Sequence, residues 1–292
     1  MVLDRRQWRT KSTKRIIDEI KTLVSKYNLN GIFLLDDNFF VNLERAKEIL
    51  KGIKGIEIFN LNGRADAVSR FDDEMIQLMR DANVKSMYLG VESGSEKILK
   101  KISKEITVEQ IIASNKNLKK AGIIPSFSFM TGFPFESKED LDMTLKLICL
   151  LKEQNRNVVA GLNIFNPYPS EIFEECEGFD PKTTEDWAFE FSKIDLPWIS
   201  RKQMKKIEKI NISVALLMPF DYKLSLREIS KAILSTISQF RIKNDFYHLF
   251  FEDKTLELYK KLIKPIGMDD KKMSNPEDYE EPLKPSPTQS VN

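Results

Sequence analysis

Cysteine and histidine are scarce in this sequence, which has two cysteines and one histidine in 292 residues. Cys149 and Cys176 lie too far apart for a disulfide framework or a compact set of metal ligands, so a reducing compartment, the cytoplasm, fits best. Cys149 lies on a predicted helix and is expected in the core. His248, in the segment FYHLFF, is better explained by packing than by catalysis. These residues predict neither a metal site nor a catalytic group.

The sequence also lacks a long apolar run and an excess of one charge. No stretch of about 18 apolar residues occurs and no signal-peptide segment precedes the first helix, so we expect neither a membrane span nor a signal peptide. Lys and Arg number 46 against 44 Asp and Glu, a balance that disfavours a nucleic-acid partner. Walker, GxGxxG, HExxH and GxSxG motifs are absent, which removes the usual signs of phosphoryl transfer, nicotinamide chemistry, zinc proteolysis and serine hydrolysis.

What the sequence does contain is an alternation of helical and strand-like stretches from Ser12 to about Pro169. Repeated βα units of this kind indicate an α/β protein with a parallel sheet. The first helix, with Ser12 as its N-cap, has no strand before it, although a crossover helix normally connects two strands. The five predicted strands are 31–37, 56–61, 86–91, 126–131 and 158–165.

Three regions are predicted along the chain. Residues 1–187 form the core of βα units. Residues 188–264 form a helical C-terminal region, because apolar residues recur there at helical spacing. Residues 265–292 are polar and rich in proline and are expected to be a disordered tail.

Polar residues follow each predicted strand at its carboxyl end, where parallel α/β proteins bind ligands. Glu92 ends an apolar strand, and burying an unpartnered carboxylate there would cost free energy, which favours a ligand-binding role. Asp37 and Asn42, each taken alone, are better explained as turn or N-cap residues. Gly90, Gly94 and Gly132 can serve a turn, the close approach of a ligand, or both. The other strand-end residues are Asp36, Asn38, Asn60, Asn62, Arg64, Ser93, Ser128, Thr131, Glu136, Asn163, Asn166 and Tyr168.

Six segments, taken in order, resemble radical S-adenosylmethionine (SAM) proteins. The similarity extends from about Arg5 to Trp187 and is greatest to the subgroup that carries a cobalamin-binding domain ahead of the radical SAM domain. Each segment is weak evidence alone, and the order makes the set specific. The segments are RRQWRTKSTKRIIDEI, FLLDDNFFVN, NGRADAVSRFDDEMIQLMRDA, YLGVESGSEKILKKISKEIT, LKKAGIIPSFSFMTGFPFESKED and NPYPSEIFEE.

The resemblance implies a partial (β/α)6 barrel, similar to a TIM barrel, that lacks its first strand, has a C-terminal helical extension and binds SAM across its strand ends. Residues 36–38 match the family's loop around the SAM amino group. Lys104 matches a basic residue that can pair with the SAM carboxylate. Glu92 and Ser93 match a polar site, Ser128 the ribose position and residues 132–134 the border of the adenine. The candidate cofactor-binding residues are Asp36, Asp37, Asn38, Arg64, Glu92, Ser93, Lys104, Ser128, Gly132, Phe133 and Pro134.

One departure from the family pattern concerns the iron–sulfur cluster. The family holds a [4Fe-4S] cluster with a CxxxCxxC motif, and reduction of the cluster cleaves SAM to methionine and a 5′-deoxyadenosyl radical. The motif is missing before Trp8, and the two distant cysteines and one histidine cannot replace it. A cluster is therefore expected only if a missing N-terminal segment supplies the cysteines, and cobalamin only in a full-length relative. The chain by itself is expected to be inactive.

Three hypotheses follow. The first is an N-terminally truncated radical SAM enzyme, whose partner is a small-molecule substrate or a chain that supplies the missing segment. The second is a non-catalytic scaffold derived from the barrel, which binds SAM or another protein. The third is an unrelated βα protein such as a barrel aldolase or a nucleotide-binding module. An aldolase would require a reactive lysine on a strand, and only Lys85, at a strand edge, comes close.

Overall fold

The computed structural model describes residues 8–167, 176, 178, 196–217 and 226–247. The chain divides into two units, Met1–Phe250 and Phe251–Asn292, and every described residue belongs to the first. His248, Tyr168, the predicted tail at 265–292 and the predicted boundary at residue 187 lie outside the described residues. The three-region division therefore stays a prediction.

Five strands and nine helices occur in the described part of the chain. The strands are β1 (Gly31–Phe33), β2 (Glu57–Gly63), β3 (Ser86–Glu92), β4 (Ile124–Thr131) and β5 (Val159–Ile164). The helices are α1 (Thr13–Tyr27), α2 (Leu43–Gly52), α3 (Ala65–Val68), α4 (Asp73–Asp81), α5 (Glu96–Lys101), α6 (Val108–Ala121), α7 (Lys138–Gln154), α8 (Arg201–Ala215) and α9 (Leu226–Asn244). No helix in the described part is long and apolar enough to cross a membrane.

Side-chain caps explain where several helices begin. Ser12 accepts a hydrogen bond from the N–H three residues further on, so it is the predicted N-cap of α1. Asn42 does the same for α2, which settles its role as an N-cap. Thr107 and Ser137 start α6 and α7 with capping boxes, in which two backbone N–H groups are satisfied reciprocally.

The sheet has the order β1-β2-β3-β4-β5, and all of its strand pairs are parallel. This confirms the predicted α/β class and the five predicted strands. The first strand is shorter than the predicted 31–37, because its register with β2 becomes irregular between Ile32 and Phe33. All five carboxyl ends therefore point to one side of the molecule.

Alternation along the strands separates the two faces of the sheet. In β3, Met87, Leu89 and Val91 are fully buried in the main hydrophobic core. Successive side chains of a strand point to opposite faces, so Tyr88 and Glu92 lie on the other face. That face carries polar residues at the strand ends.

The two edges of the sheet differ. At one edge α8 packs against β5, and α9 packs against both α8 and α7. At the other edge, no strand of the described ranges pairs with the outer side of β1. There Phe33 and Leu35 are 63% and 80% exposed. The leading helix α1 packs against α2 next to this edge.

Candidate functional site

A cavity of about 460 Å³ opens at the carboxyl ends of the strands, on the face that carries Tyr88 and Glu92. Its size is within the range of small-molecule sites. Residues from β2 to β5 and from the loops that follow β1, β2 and α5 contribute to its wall. The lining residues are Asp37, Asn62, Gly63, Arg64, Tyr88, Gly90, Glu92, Lys104, Ser128, Met130 and Asn163.

An ion pair between Glu92 and Lys104 occupies one wall of the cavity. Lys104 Nζ donates a hydrogen bond to Glu92 Oε1 at 2.7 Å, and the two side chains are 18% and 22% exposed for Glu92 and Lys104. Gly90 makes room for this pair, because a Cβ at Gly90 would lie 2.8 Å from Glu92 Oε1 and 3.4 Å from Lys104 Nζ. The pair is therefore close to solvent and shaped by the glycine beneath it.

The backbone around the pair is strained. Glu92, Ser103 and Glu105 have φ of 63°, 52° and 55°, in the left-handed region that glycine and asparagine favour. The pairing of β3 with β4 also shifts register between Gly90 and Glu92. Strain of this kind clusters at functional sites, where the surrounding structure holds it in place.

Arg64 ties the loop that carries Lys104 to the end of β2. Its guanidinium donates to the carbonyl of Lys104 at 3.0 Å and forms an ion pair with Asp66 at 3.0 Å. Arg64 is also the N-cap residue of the short helix α3. Its position thus fixes the loop from which Lys104 reaches Glu92.

Neutral polar groups line the cavity on both sides of β3, and we call the lining residues on β4 and β5, namely Ser128, Met130 and Asn163, the neutral wall. Asn163 Nδ2 donates to Ser128 Oγ at 2.9 Å, which links the neighbouring strands β5 and β4 in the cavity lining. Asn62 Nδ2 donates to the carbonyl of Asp36 at 3.0 Å and so joins β2 to the loop after β1. The amides and the hydroxyl keep further acceptor or donor capacity for a ligand.

The carboxyl end of β4 turns at Gly132, which has a φ of 87°. Glu136 Oε2 accepts hydrogen bonds from Thr131 Oγ1 and from the N–H of Gly132, each at 2.6 Å. Desolvation by burial raises the pKa of Glu136 above its usual range, against the lowering effect of these two donors. Glu136 therefore fixes the turn rather than facing the cavity.

Five of the eleven predicted site residues lie together on the cavity wall: Asp37, Arg64, Glu92, Lys104 and Ser128. The other six do not line it. They are Asp36, Asn38, Ser93, Gly132, Phe133 and Pro134.

Three of the residues that do not line the cavity, Asn38, Ser93 and Phe133, have identifiable structural partners. Asn38 Oδ1 accepts from the N–H of Phe40 in a turn. Ser93 is fully buried, and its hydroxyl lies 3.0 Å from Thr144 Oγ1. Phe133 packs in an aromatic cluster, with its ring centroid 4.8 Å from that of Phe165. Their roles toward a ligand stay predictions.

Sequence reasoning missed Gly63, Tyr88 and Met130 as lining residues, and it named Asn62, Gly90 and Asn163 only as strand-end residues. The alternation of the strands contains the missing signal. Tyr88 lies four residues before Glu92, and Met130 two residues after Ser128, so each shares its face with a predicted site residue. A period of two applied along whole strands would have included both.

The cysteines do not fit a [4Fe-4S] cluster. Cys149 is buried in α7, and desolvation raises the pKa of its thiol to about 11, whereas a metal ligand must be a thiolate. Cys176 is buried in the cluster that contains Phe133. Within the described residues, no group of three His, Cys, Asp or Glu side chains could hold a metal ion. We therefore assign no step of a reaction to a cluster bound by these residues.

Comparison with protein families identifies the class to which this fold and strand-end cavity belong. The model of the radical SAM superfamily matches residues 3–148, half of the chain. The chain belongs to this superfamily, whose members use SAM and a [4Fe-4S] cluster. The resemblance expected from the six segments is thus confirmed.

Individual relatives are much longer than the matched region. The chain is 34% identical over 167 residues to an uncharacterized methyltransferase of Pyrococcus horikoshii, a match that covers 56% of this chain and 35% of the relative. It is 27% identical over 175 residues to the anaerobic magnesium-protoporphyrin IX monomethyl ester cyclase of Rubrivivax gelatinosus, covering 58% and 30%. The chain thus spans about a third of each relative.

The solved structure of the apo, selenomethionine-labelled cobalamin-dependent SAM radical enzyme OxsB has a similar fold. The superposition covers 88% of this chain and 46% of that one, with a TM-score of 0.54 and 17% sequence identity. At this identity the likeness establishes the fold alone.

Proposed function

We propose that this chain is the SAM-binding part of a radical SAM enzyme and that SAM binds in the strand-end cavity. The observation that carries the proposal is the Glu92–Lys104 ion pair on the cavity wall, with 2.7 Å between Oε1 and Nζ. The pair rests on backbone that three non-glycine residues hold in a left-handed conformation. Such strain is retained where function requires it.

The charged wall suits the amino-acid end of SAM. That end carries an ammonium and a carboxylate, and it can insert into the ion pair so that the ammonium contacts Glu92 and the carboxylate contacts Lys104. Both protein charges then stay paired, because charge-assisted hydrogen bonds to SAM replace the single hydrogen bond between Lys104 and Glu92. Asp37 adds a second carboxylate to the same cavity.

The neutral wall suits the nucleoside end. Ser128 and Asn163 offer a hydroxyl and an amide for the ribose hydroxyl groups. Tyr88 and Met130 add an aromatic ring and a thioether to the lining, and both can pack against a flat adenine. The chemistry of the two walls therefore matches the two ends of one ligand.

We further propose that the cluster ligands come from a polypeptide segment outside these 292 residues and that the chain alone does not cleave SAM. Support comes from the outer edge of β1, where a further parallel strand would cover Phe33 and Leu35. Helix α1 precedes β1 and packs beside α2, as a crossover helix from such a strand would. Anaerobic incubation with iron and sulfide should yield no [4Fe-4S] absorption, and cluster assembly by this chain would contradict the proposal.

A small-molecule substrate fits this account, since the relatives named above are a methyltransferase and a cyclase. Cobalamin belongs to the proposal only for a full-length protein. The proposed location is the cytoplasm, as the cysteine usage suggests.

A second candidate is a non-catalytic SAM-binding scaffold, which the burial of both cysteines favours. A peptide with the sequence that precedes the matched region in the Pyrococcus horikoshii relative separates the two candidates. If the peptide binds and supports cluster assembly and SAM cleavage, the chain is part of an enzyme. If it neither binds nor supports cleavage while SAM still binds, the scaffold is favoured.

Titration calorimetry with SAM tests the proposed site. Lys104→Met should weaken SAM binding by roughly tenfold to a hundredfold, because it removes a charged hydrogen-bond donor. Lys85→Met is the matched control, since Lys85 pairs with Glu57 at 2.7 Å at the amino ends of the strands. Equal SAM affinity of the two variants would contradict the proposal, and so would absence of binding to the unmodified chain.

A further inference from the structure

The peptide groups on either side of Gly132 are held by two side chains from different parts of the chain. Glu136 Oε2 accepts from the N–H of Gly132 at 2.6 Å, and Trp198 Nε1 donates to its carbonyl at 2.9 Å. A Cβ at Gly132 would lie 2.9 Å from Ile199 Cδ1, so the segment with Trp198 also packs against the glycine. Gly132 is buried. Its φ of 87° lies in a region that residues other than glycine rarely adopt.

Trp198 connects this turn to the cavity through packed rings. Its ring centroid lies 6.4 Å from that of Phe165, which in turn lies 4.8 Å from that of Phe133. Met130 packs against the same cluster and also lines the cavity. The N–H of Phe165 donates to the carbonyl of Thr131 at 2.7 Å, so the ends of β4 and β5 are joined beneath the rings.

Trp198 lies outside residues 3–148, which the radical SAM superfamily model matches. It lies directly before α8, the helix that packs against β5. The C-terminal helical part therefore contributes a hydrogen-bond donor to the carboxyl end of β4.

We propose that Trp198 is a positioning residue for the neutral wall, where the nucleoside end of SAM is proposed to bind. Its indole N–H holds the Gly132 carbonyl, and Glu136 holds the N–H on the other side, so that β4 presents Ser128 and Met130 in a fixed arrangement. Loss of the indole donor leaves a buried carbonyl without its partner, and the flexible Gly132 backbone rotates to relieve this. The inference rests on the proposed binding of SAM in this cavity.

The test compares two ligands by titration calorimetry: SAM, and 5′-methylthioadenosine, which keeps the nucleoside and lacks the amino-acid end. Trp198→Phe retains a ring but loses the donor, and it should weaken binding of both ligands by the same factor, about fivefold. Lys104→Met should weaken SAM alone. Trp8→Phe is the matched control, because Trp8 is half-exposed and stacks on Arg45 far from Gly132 in the sequence.

The outcomes separate the inference from the proposed function. Suppose that the unmodified chain binds SAM. If Trp198→Phe then binds both ligands with the same affinities as the unmodified chain, or has a reduced affinity for SAM only, the inference is overturned and the proposed site stands. If the unmodified chain does not bind SAM, the proposed function fails. Glu136→Ala, which removes the acceptor of the Gly132 N–H, provides a second probe of the same glycine should Trp198→Phe not fold. It should also weaken both ligands equally, and unchanged affinities for both ligands would overturn the inference.

Discussion

Both ends of the sheet hold polar side chains, but the hydrogen bonding and the exposure of these side chains differ between the two ends. At the amino end of β5, Asn155 Nδ2 donates to Asn115 Oδ1 at 3.2 Å, and Asn115 Nδ2 donates to the carbonyl of Leu151 at 3.0 Å. Lys152 Nζ donates to the carbonyl of Val158 at 3.0 Å. This network is satisfied by protein groups alone.

The carboxyl end is arranged in the opposite way. Glu92 and Lys104 are partly exposed, the backbone at Glu92 is strained, and Gly90 leaves the space that the pair occupies. A satisfied polar network stabilises a fold, whereas strained polar groups beside a cavity are available to a ligand. The contrast predicts that substitutions at the amino end change stability and that substitutions at the carboxyl end change binding, as in barrel enzymes generally.

The largest effect is expected from Asn155→Ala. Asn155 is 3% exposed, and its loss leaves the amide oxygen of Asn115 and the N–H of Asn157 without their partners. The free energy of unfolding should fall by about 2 to 3 kcal/mol, as measured by urea denaturation. Asn157→Ala, at an exposed position of the same loop, should change it by less than about 0.5 kcal/mol. A loss of SAM affinity in Asn155→Ala without a loss of stability would contradict the contrast.

The next effect concerns pH. Burial lowers the pKa of Lys152 to about 8 from its ordinary 10.5. Between these values the unfolded chain binds more protons than the folded one, so the free energy of unfolding should rise with pH. We expect a gain of about 2 kcal/mol, less than the full shift, because the two carbonyls that accept from Lys152 favour its charged form.

Lys152→Met isolates this titration from that of other lysines and tyrosines. The free energy of unfolding of the unmodified chain minus that of this variant should rise from pH 8 to pH 10.5. Below about pH 7 this difference should not change with pH. A constant difference over the whole range would place the pKa of Lys152 outside this window.

The smallest effect is expected from Gly90→Ala. The added methyl group would displace the Glu92 carboxylate from Lys104, and SAM affinity should fall by roughly tenfold, or about 1.4 kcal/mol. Stability should change little, because the group that moves is the end of a flexible side chain. Gly161→Ala is the control, since a Cβ there meets nothing within 4 Å. If Gly161→Ala weakens SAM binding as much as Gly90→Ala, the ion pair is not what binds the ligand.

Local patterns in the sequence predicted most of the fold. The periodicity of apolar residues located the five strands, and the N-cap at Ser12 located the start of the first helix, because both depend on neighbours within a few residues. The desolvation argument for Glu92 pointed to the charged wall before the structure placed it there.

Contacts between distant segments were beyond such patterns. Lys104 lies between Ser103 and Glu105, which adopt left-handed conformations that no local propensity indicates. The donor role of Trp198 depends on a contact with Gly132, 66 residues away in the sequence. The burial of Lys152 follows from the packing of the loop that precedes β5, whose carbonyls accept from its Nζ.

Hydrogen exchange of the chain with and without SAM tests the central claim most directly. Amides at 90–94, 103–105 and 128–132 should exchange more slowly when SAM is bound, because these backbone segments form or flank the cavity wall. Amides at 155–158, at the amino end, should be unaffected. Protection confined to the amino end, or no protection in the presence of saturating SAM, would contradict the claim that the strand-end cavity is the SAM site.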